Sequence, residues 1–185
     1  MTSRERALAK IEREIRACKI CRKDKVGVPV PGEGSANAKV VFIGEAPGKK
    51  ESVVGKPFIG PSGKFLRQLI AAAGLKDSEI FITSPVKYLP KHVTPKPAEI
   101  EHGKIHLFRQ LQVIKPKFVV LLGRVACLAV LGQNCSIAND HGKIIGSKGV
   151  SYFLSYHPAA ALHSPGLRSV LARDFKKLKK LTSTK

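Results

Sequence analysis

The sequence has 185 residues, of which 43% are apolar, and its 33 Lys and Arg residues outnumber 13 Asp and Glu residues, giving a formal charge of +20. Apolar runs stay well below the roughly 18 residues that cross a bilayer, so a membrane-spanning protein is excluded and a globular one is expected. Basic residues occur from Arg4 to Lys185, which favours binding to nucleic acid over a surface that is basic only for solubility.

The first residues indicate where the protein works. Thr2 to Arg6 are polar or charged and lack the following apolar segment of a secretory signal, so we expect a cytoplasmic protein. We also expect a monomer that binds no membrane. A nucleotide hydrolase is disfavoured, because Gly60-Pro61-Ser62-Gly63-Lys64 does not have the spacing of a phosphate-binding P-loop.

The first predicted element is an amphipathic helix over residues 2–17. Thr2 and Glu5 have the spacing of a capping box, and apolar residues recur at helical intervals behind them. Four apolar runs follow a connection rich in Pro and Gly, at residues 40–43, 80–83, 118–122 and 152–155. Runs of Val, Ile, Leu and Phe without polar alternation predict buried parallel strands.

Helical patterns alternate with these strands. They cover residues 62–73, 97–114 and 124–131, and a last basic helix covers residues 167–181. The alternation predicts a three-layer α/β/α sandwich around a four-stranded parallel sheet, formed by a single domain over residues 1–185. Ligands bind beyond the carboxyl ends of such strands, so we expect the loops after Ile43, Ile82 and Leu154 to converge.

The loop Gly44-Glu45-Ala46-Pro47-Gly48 directly follows the first strand. Its glycines and proline favour an irregular backbone whose amides point outward, and Glu45 places a carboxylate at the end of the strand. Phe58 offers an aromatic ring a few residues later. Together these features predict a pocket for a flat polar ring.

Five segments in order carry a family resemblance, namely GEAPG at 44–48, GKPFIGPSGKFL at 55–66, ITSPVKYLP at 82–90, FVVLLGRVA at 118–126 and SYHPAAAL at 155–162. They resemble the uracil-DNA glycosylase superfamily, most of all its family 4, over roughly residues 14–180. The resemblance implies a monofunctional enzyme that flips uracil out of DNA and hydrolyses its N-glycosidic bond. Such an enzyme leaves an abasic site and initiates base excision repair.

The resemblance also implies roles for the side chains and amides of these segments. Gly44 and the amides around Ala46 would hold a uracil carbonyl, and Phe58 would stack on the ring. His157 would donate to the oxygen that becomes anionic, and Glu45 would orient water or stabilise the cationic sugar. Glu51 is an auxiliary candidate for positioning water.

Each of these side chains also has an ordinary structural interpretation. Glu45 could cap a helix or pair with a lysine, and Phe58 could be a core ring. His157 could stabilise the turn before Pro158. Glu51 could lie on the exposed surface.

Ser84 departs from the family pattern, which has an asparagine here that reads the Watson-Crick edge of uracil. An amide donates and accepts in a fixed plane, whereas a hydroxyl makes one rotatable contact. Two alternatives to uracil release therefore stay open. The protein could act on another deaminated or damaged base such as hypoxanthine, or it could be a non-catalytic relative that binds nucleic acid.

The cysteines form the second departure. Cys18 and Cys21 match the first two iron-sulfur ligands of family 4, but Tyr88 and Gly103 occupy the next two ligand positions. The resemblance therefore implies a 4Fe-4S cluster of which only half the ligands are present, and the residues favour four reduced thiols instead. No cofactor is expected to be required for the chemistry.

A structural zinc site is an alternative for the same pair of cysteines. It would use Cys18, Cys21 and a histidine such as His92 or His102, although the spacing does not support it.

Two segments are expected to contact DNA that contains uracil or another damaged base. The loop from Ala159 to Arg168 includes His163 and the apolar Leu162, which could wedge into the base stack or instead pack on the last helix. The residues Ser62, Gly63 and Lys64 at a helix start could bind a phosphate through their amides.

Overall fold

In the computed structural model, which describes residues 1–147 and 149–183, a sheet of six strands lies between two layers of helices. The strands are β1 Lys25–Val26, β2 Glu33–Gly34, β3 Val40–Ile43, β4 Ile80–Thr83, β5 Leu89–Pro90, β6 Phe118–Leu122, β7 Ile144–Ser147 and β8 Val150–Ser155. The sheet order is β2-β4-β3-β6-β8-β7, and β1 pairs with β5 in a separate antiparallel ribbon.

The four predicted strands β4, β3, β6 and β8 are neighbours and run parallel, as expected for the α/β/α sandwich. The sequence prediction lacked the two antiparallel edge strands, β2 beside β4 and β7 beside β8. The strand β2 has only two residues, and β7 comes immediately before its partner β8 in strand order. The predicted three-layer α/β/α fold is confirmed with these two additions.

The helices are α1 Ser3–Ala17, α2 Lys19–Arg22, α3 Lys49–Val54, α4 Pro61–Ala72, α5 Pro97–Ile114, α6 Arg124–Leu131, α7 Ile137–Asp140, α8 Ala160–His163 and α9 Leu167–Ser183. The expected capping box opens α1, where Thr2 Oγ1 accepts from the Glu5 amide at 3.2 Å and Glu5 accepts from the Thr2 amide at 2.7 Å. None of the helices in the described ranges is both long and apolar enough to cross a membrane.

The sheet buries a different apolar cluster on each face. On one face α4 and α9 cover Phe42, Val120 and Phe153, and the Phe42 ring stacks on Phe175 of α9 with centroids 6.0 Å apart. On the other face α5 and α6 cover side chains such as Val41 and Leu121. Fully burying side chains of this size contributes about 1.5 to 3 kcal/mol each, so the two clusters hold the layers together.

The amino-terminal segment is attached through a third, smaller cluster. Ile11 and Ile15 of α1 pack with Cys21 of α2 and with Tyr88, next to α5. This cluster attaches α1 and α2 to the side of the molecule formed by α5.

The parallel register brings the carboxyl ends of the strands to one edge. Ile43 at the end of β3 pairs with Thr83 and with Leu121, and Leu122 pairs with Ser155 at the end of β8. The Gly44 amide then donates to the Thr83 carbonyl at 2.9 Å. The loops that follow these strands therefore begin side by side.

Candidate active site

A cavity of about 360 Å³ opens at this edge of the sheet, a size typical of small-molecule sites. It is formed by the loops after β3, β4 and β8 and by the connection from α3 to α4. The predicted site residues that line it are Glu45, Ala46, Glu51, Phe58, Ser62, Ser84, His157 and Ala159. Residues far apart in sequence thus meet at one concave surface, as the sheet topology predicts.

Phe58 forms one wall of the cavity in a conformation that its neighbours fix. Its φ is +53°, a left-handed value that non-glycine residues seldom adopt. A Cβ on Gly44 would lie 2.7 Å from its ring, and a Cβ on Gly63 would overlap its carbonyl group. Because Gly44 and Gly63 have no Cβ, the end of β3 and the first turn of α4 can both pack closely against Phe58. This packing holds the centroid of the Phe58 ring 5.6 Å from the centroid of the His157 ring.

His157 presents its Nε2 to the cavity. The Ala159 amide donates to Nδ1 at 3.1 Å, so the neutral imidazole carries its proton on Nε2. Burial lowers the pKa of His157 to about 4, which keeps the ring uncharged at neutral pH. The histidine does stabilise its own turn, and that contact also fixes a hydrogen-bond donor toward the cavity.

Burial shifts the pKa of Glu45 in the opposite direction from that of His157. Burial raises the pKa of its carboxyl group, and the positive charge of Arg124 opposes that shift. Gly48 is the N-cap of α3 and has no side-chain cap, and no ion pair to Glu45 forms within residues 1–147 and 149–183. Neither the helix cap nor the lysine pair is therefore found, and the carboxylate faces the cavity.

Glu51 is buried, with 8% of its surface exposed, so the interpretation as an exposed surface residue is wrong. Its Oε1 accepts from the amides of Ile59 and Gly60 at 2.9 and 2.8 Å. Hydrogen bonds to a carboxylate are about twice as strong as neutral ones. This side chain holds the segment between Phe58 and the start of α4 against α3.

Ser84 is buried at the back of the cavity, and its hydroxyl donates to the Val86 carbonyl at 2.7 Å. The single proton of the hydroxyl is therefore used within the protein. The oxygen keeps lone pairs, which makes Ser84 an acceptor toward anything bound in the cavity.

A polar network that sequence reasoning missed lies behind the cavity. Lys87, only 1% exposed, donates to Thr83 Oγ1 at 2.7 Å and to Gln110 Oε1 at 2.8 Å, and both Lys87 and Gln110 donate to the Pro31 carbonyl. Burial lowers the pKa of Lys87 to about 7. The sequence signal was a lysine inside a buried run, four residues after Thr83.

Of the residues expected to contact DNA, Ser62 and Ala159 line the cavity, and the others lie in α4, in α8 and at the start of α9. Gly63 and the exposed Lys64 occupy the first turn of α4, next to Ser62. Leu162 is 38% exposed, whereas its neighbour Ala161 is buried in the cluster under α9. His163 is exposed, and the Arg168 guanidinium lies 5.7 Å over the Phe65 ring.

The cysteines Cys18 and Cys21 lie outside the cavity, in a second group of chemically active side chains. One donor atom each from Cys18, Cys21, His102 and His106 fall within 4.8 Å of one another. His106 was missed, although it follows His102 at the H-x₃-H spacing of zinc ligands. His92 is not a member of this group, and its Nε2 lies 3.5 Å from Glu99 instead. Cys127 and Cys135 pack together in the core over the sheet.

Comparison with known proteins assigns the fold and cavity to a family. The model of the family described as Uracil DNA glycosylase superfamily matches residues 31–180. The Type-4 uracil-DNA glycosylase of Sulfurisphaera tokodaii is 40% identical, with 96% of this chain and 86% of the relative aligned. Those of Archaeoglobus fulgidus and Thermotoga maritima are 37% and 31% identical, with at least 95% of both chains aligned in each comparison.

Proposed function

This chain belongs to the uracil DNA glycosylase superfamily, and we propose that it removes uracil from DNA by hydrolysing the N-glycosidic bond. The observation that supports this most directly is the convergence of Glu45, Phe58, Ser84 and His157 on one cavity. Its relatives named as Type-4 uracil-DNA glycosylases align over nearly the whole chain. They favour uracil release over the hypoxanthine and binding-only alternatives.

The cavity residues supply complementary contacts for a flipped uracil. Phe58 stacks on the ring, and the Ala46 amide donates to a carbonyl oxygen of the base. Ser84 accepts from the N3–H of uracil, because its own proton is committed to the Val86 carbonyl. Cytosine has an acceptor at N3 and would place two lone pairs against each other. A hydroxyl therefore selects uracil over cytosine here without the amide that is usual in the family.

The hydrolysis uses His157 to stabilise negative charge on the base and Glu45 to stabilise positive charge on the sugar. The bond between C1′ and N1 breaks, its electron pair leaves with the base, and the Nε2–H of His157 donates to the uracil oxygen where negative charge accumulates. Glu45 as a carboxylate stabilises the cationic sugar and orients the water whose oxygen bonds to C1′. The water gives up one proton to solvent, and the departed uracil anion takes up one proton from solvent. The products are free uracil and an abasic site.

Further proposals follow from the same function. We infer that residues 1–185 act as one glycosylase domain and as a monomer in the cytoplasm, with uracil-containing DNA as substrate. The positive surface attracts the DNA backbone, Lys64 and the first-turn amides of α4 bind phosphate, and Leu162 occupies the gap left by the flipped base. Glu51 acts by holding the wall that carries Phe58.

The test is base release from oligonucleotides that carry one uracil, hypoxanthine or mismatched thymine. We expect release of uracil alone and a loss of about 5- to 150-fold in Ser84→Ala, which corresponds to one buried hydrogen bond of 1 to 3 kcal/mol. Ser84→Asn should keep uracil release, and Ser78→Ala, at the opposite edge of the sheet, is the matched control. Retained DNA binding without release of any base would instead establish the binding-only alternative.

A further inference from the structure

The group formed by Cys18, Cys21, His102 and His106 joins two separate parts of the chain. Cys18 lies between α1 and α2, and its Sγ accepts from the Cys21 amide at 3.4 Å. His102 and His106 follow each other by one turn of α5, so their rings lie on the same helix face. Cys18 Sγ is 3.2 Å from His102 Nε2. Four metal-binding side chains thus meet where the amino-terminal segment contacts α5.

An unpartnered histidine provides a second, independent observation. His106 is only 6% exposed, and its Nδ1 has no hydrogen-bond partner among the described residues. A buried polar nitrogen without a partner is costly, and native proteins seldom contain one without a reason. Binding of a metal ion by this group of four side chains gives the buried imidazole a function.

The residues do not fit the four-iron cluster that the family resemblance implies. Such a cluster is held by four thiolates, and only two cysteines are present at this place. A Cβ on Gly103 would overlap the Pro85 carbonyl, so a cysteine could not occupy that position with this backbone. Tyr88 is 2% exposed and fills the other position as part of the apolar cluster around Cys21.

The same four residues do fit a single tetrahedral ion. Two cysteines in the order C-x₂-C followed by two histidines in the order H-x₃-H form the donor set of structural zinc sites. Donor atoms within 4.8 Å of one another suit one ion, around which every pair of ligands is close. Two thiolates neutralise the charge of Zn²⁺, which makes burial of the ion acceptable.

We propose that Cys18, Cys21, His102 and His106 bind one structural zinc ion in place of an iron-sulfur cluster. The ion ties the junction of α1 and α2 to the middle of α5. All four coordination positions are filled by protein side chains, so the zinc takes no part in the hydrolysis of the glycosidic bond. This proposal does not depend on the proposed function, because metal content is measured without DNA.

The test begins with the metal content of the full chain after expression with both zinc and iron available. We expect about one zinc ion per chain, little iron and no acid-labile sulfide. His106→Ala should lose most of the zinc, whereas His106→Cys should retain it because a third thiolate replaces the imidazole. Cys135→Ala is the matched control, since Cys135 is a buried cysteine outside the group.

A second measurement covers the case in which His106→Ala does not fold. Cobalt added to the metal-free wild-type protein should give the absorption of tetrahedral Co²⁺ with thiolate-to-metal charge transfer, and zinc should displace it. Iron together with sulfide, or a wild-type chain that binds neither zinc nor cobalt, would overturn the proposal. Equal zinc content in His106→Ala and the wild type would overturn the ligand assignment as well.

Discussion

Burial shifts the pKa values of two residues at the cavity in opposite directions. His157 is kept neutral, and protonation of Glu45 becomes easier than in water. A neutral donor at His157 suits a leaving base that is itself acquiring negative charge, because no proton has to be transferred completely. The same apolar surroundings strengthen the interaction of the Glu45 carboxylate with a cationic sugar.

These shifts predict the pH dependence of uracil release. Glu45 must be ionised, and burial raises its pKa above 4.5, so activity should fall with decreasing pH through a midpoint above that value. Titration of His157 should not cause a second change in activity near neutral pH, because the pKa of His157 is lowered to about 4. Single-turnover rates over a pH series test this. The rate of Glu45→Gln should be lower by about 10²- to 10⁴-fold, and it should not fall further with decreasing pH.

If the activity of Glu45→Gln fell at low pH in the same way as that of the wild type, the assignment of this fall to Glu45 would be contradicted. A midpoint near the ordinary pKa of histidine that disappears in His157→Asn would mean that His157 titrates instead. The control is the free energy of unfolding over the same pH series, which separates loss of activity from loss of fold.

Much of the cavity could be predicted at the residue scale, since Glu45, Ser84 and His157 follow strand ends that topology brings together and Phe58 lies in the connection from α3 to α4. The partners of these residues could not be predicted. The bond from Ser84 to Val86 depends on the local path of the chain after β4, and the buried state of Glu51 depends on where α4 begins. Such contacts are decided by tertiary packing, which sequence spacing does not encode.

Helix α4 and the Phe58 segment are in contact through a glycine. Because Gly63 has no Cβ, the first turn of α4 approaches the Phe58 backbone closely, and Glu51 binds the intervening amides. The orientation of the aromatic wall is therefore coupled to the position of α4. Interiors of proteins transmit such displacements, because they are close-packed.

Gly63→Ala should consequently damage both stability and substrate binding. The added methyl group overlaps backbone atoms of Phe58, and overpacking of this kind costs about 1 to 3 kcal/mol. We expect a lower melting temperature together with a raised KM for uracil-containing DNA, since the stacking ring moves. Thermal unfolding and steady-state kinetics measure the two effects.

Gly146→Ala is the matched control, because a Cβ on Gly146 meets no atom of the described residues within 4 Å. Equal effects of the two substitutions would show that glycine content, and not the contact with Phe58, determines the loss.

Long elements were predicted closely because their signals are local. Helices α5 and α6 begin and end where the Pro and Gly signals place them, and α9 runs two residues beyond its predicted end. The short strand β2 had no such signal. It forms because Gly34 can approach β4, where a Cβ would overlap the Ile80 carbonyl. Two-residue strands of this kind exist only through their partners.

At the scale of the whole molecule, the charge of +20 creates a field that attracts DNA without specifying a sequence. Neutralising phosphates releases counterions, so affinity should fall steeply with salt. The sheet gives the molecule two chemically different edges. The cavity lies at the carboxyl edge, and Lys76 precedes β4 at the opposite edge.

The two edges should therefore differ in their salt dependence. Lys64→Ala should lower the slope of log affinity against log salt by about one, because Lys64 is proposed to bind a phosphate. Lys76→Ala removes the same charge from the opposite edge and should leave the slope nearly unchanged. Fluorescence anisotropy with a labelled duplex measures both. A similar change in both variants would mean that DNA responds to net charge alone.

Helix α5 reaches both functional regions along one stripe of its surface. His102, His106 and Gln110 recur every four residues, the histidines in the metal-binding group and Gln110 in the network behind the cavity. With the proposed zinc ion bound, oxidation of Cys18 or Cys21 would remove a ligand and weaken the attachment of the amino-terminal segment to this helix. The redox state of these two thiols would then bear on the same helix that supports the back of the cavity through Gln110.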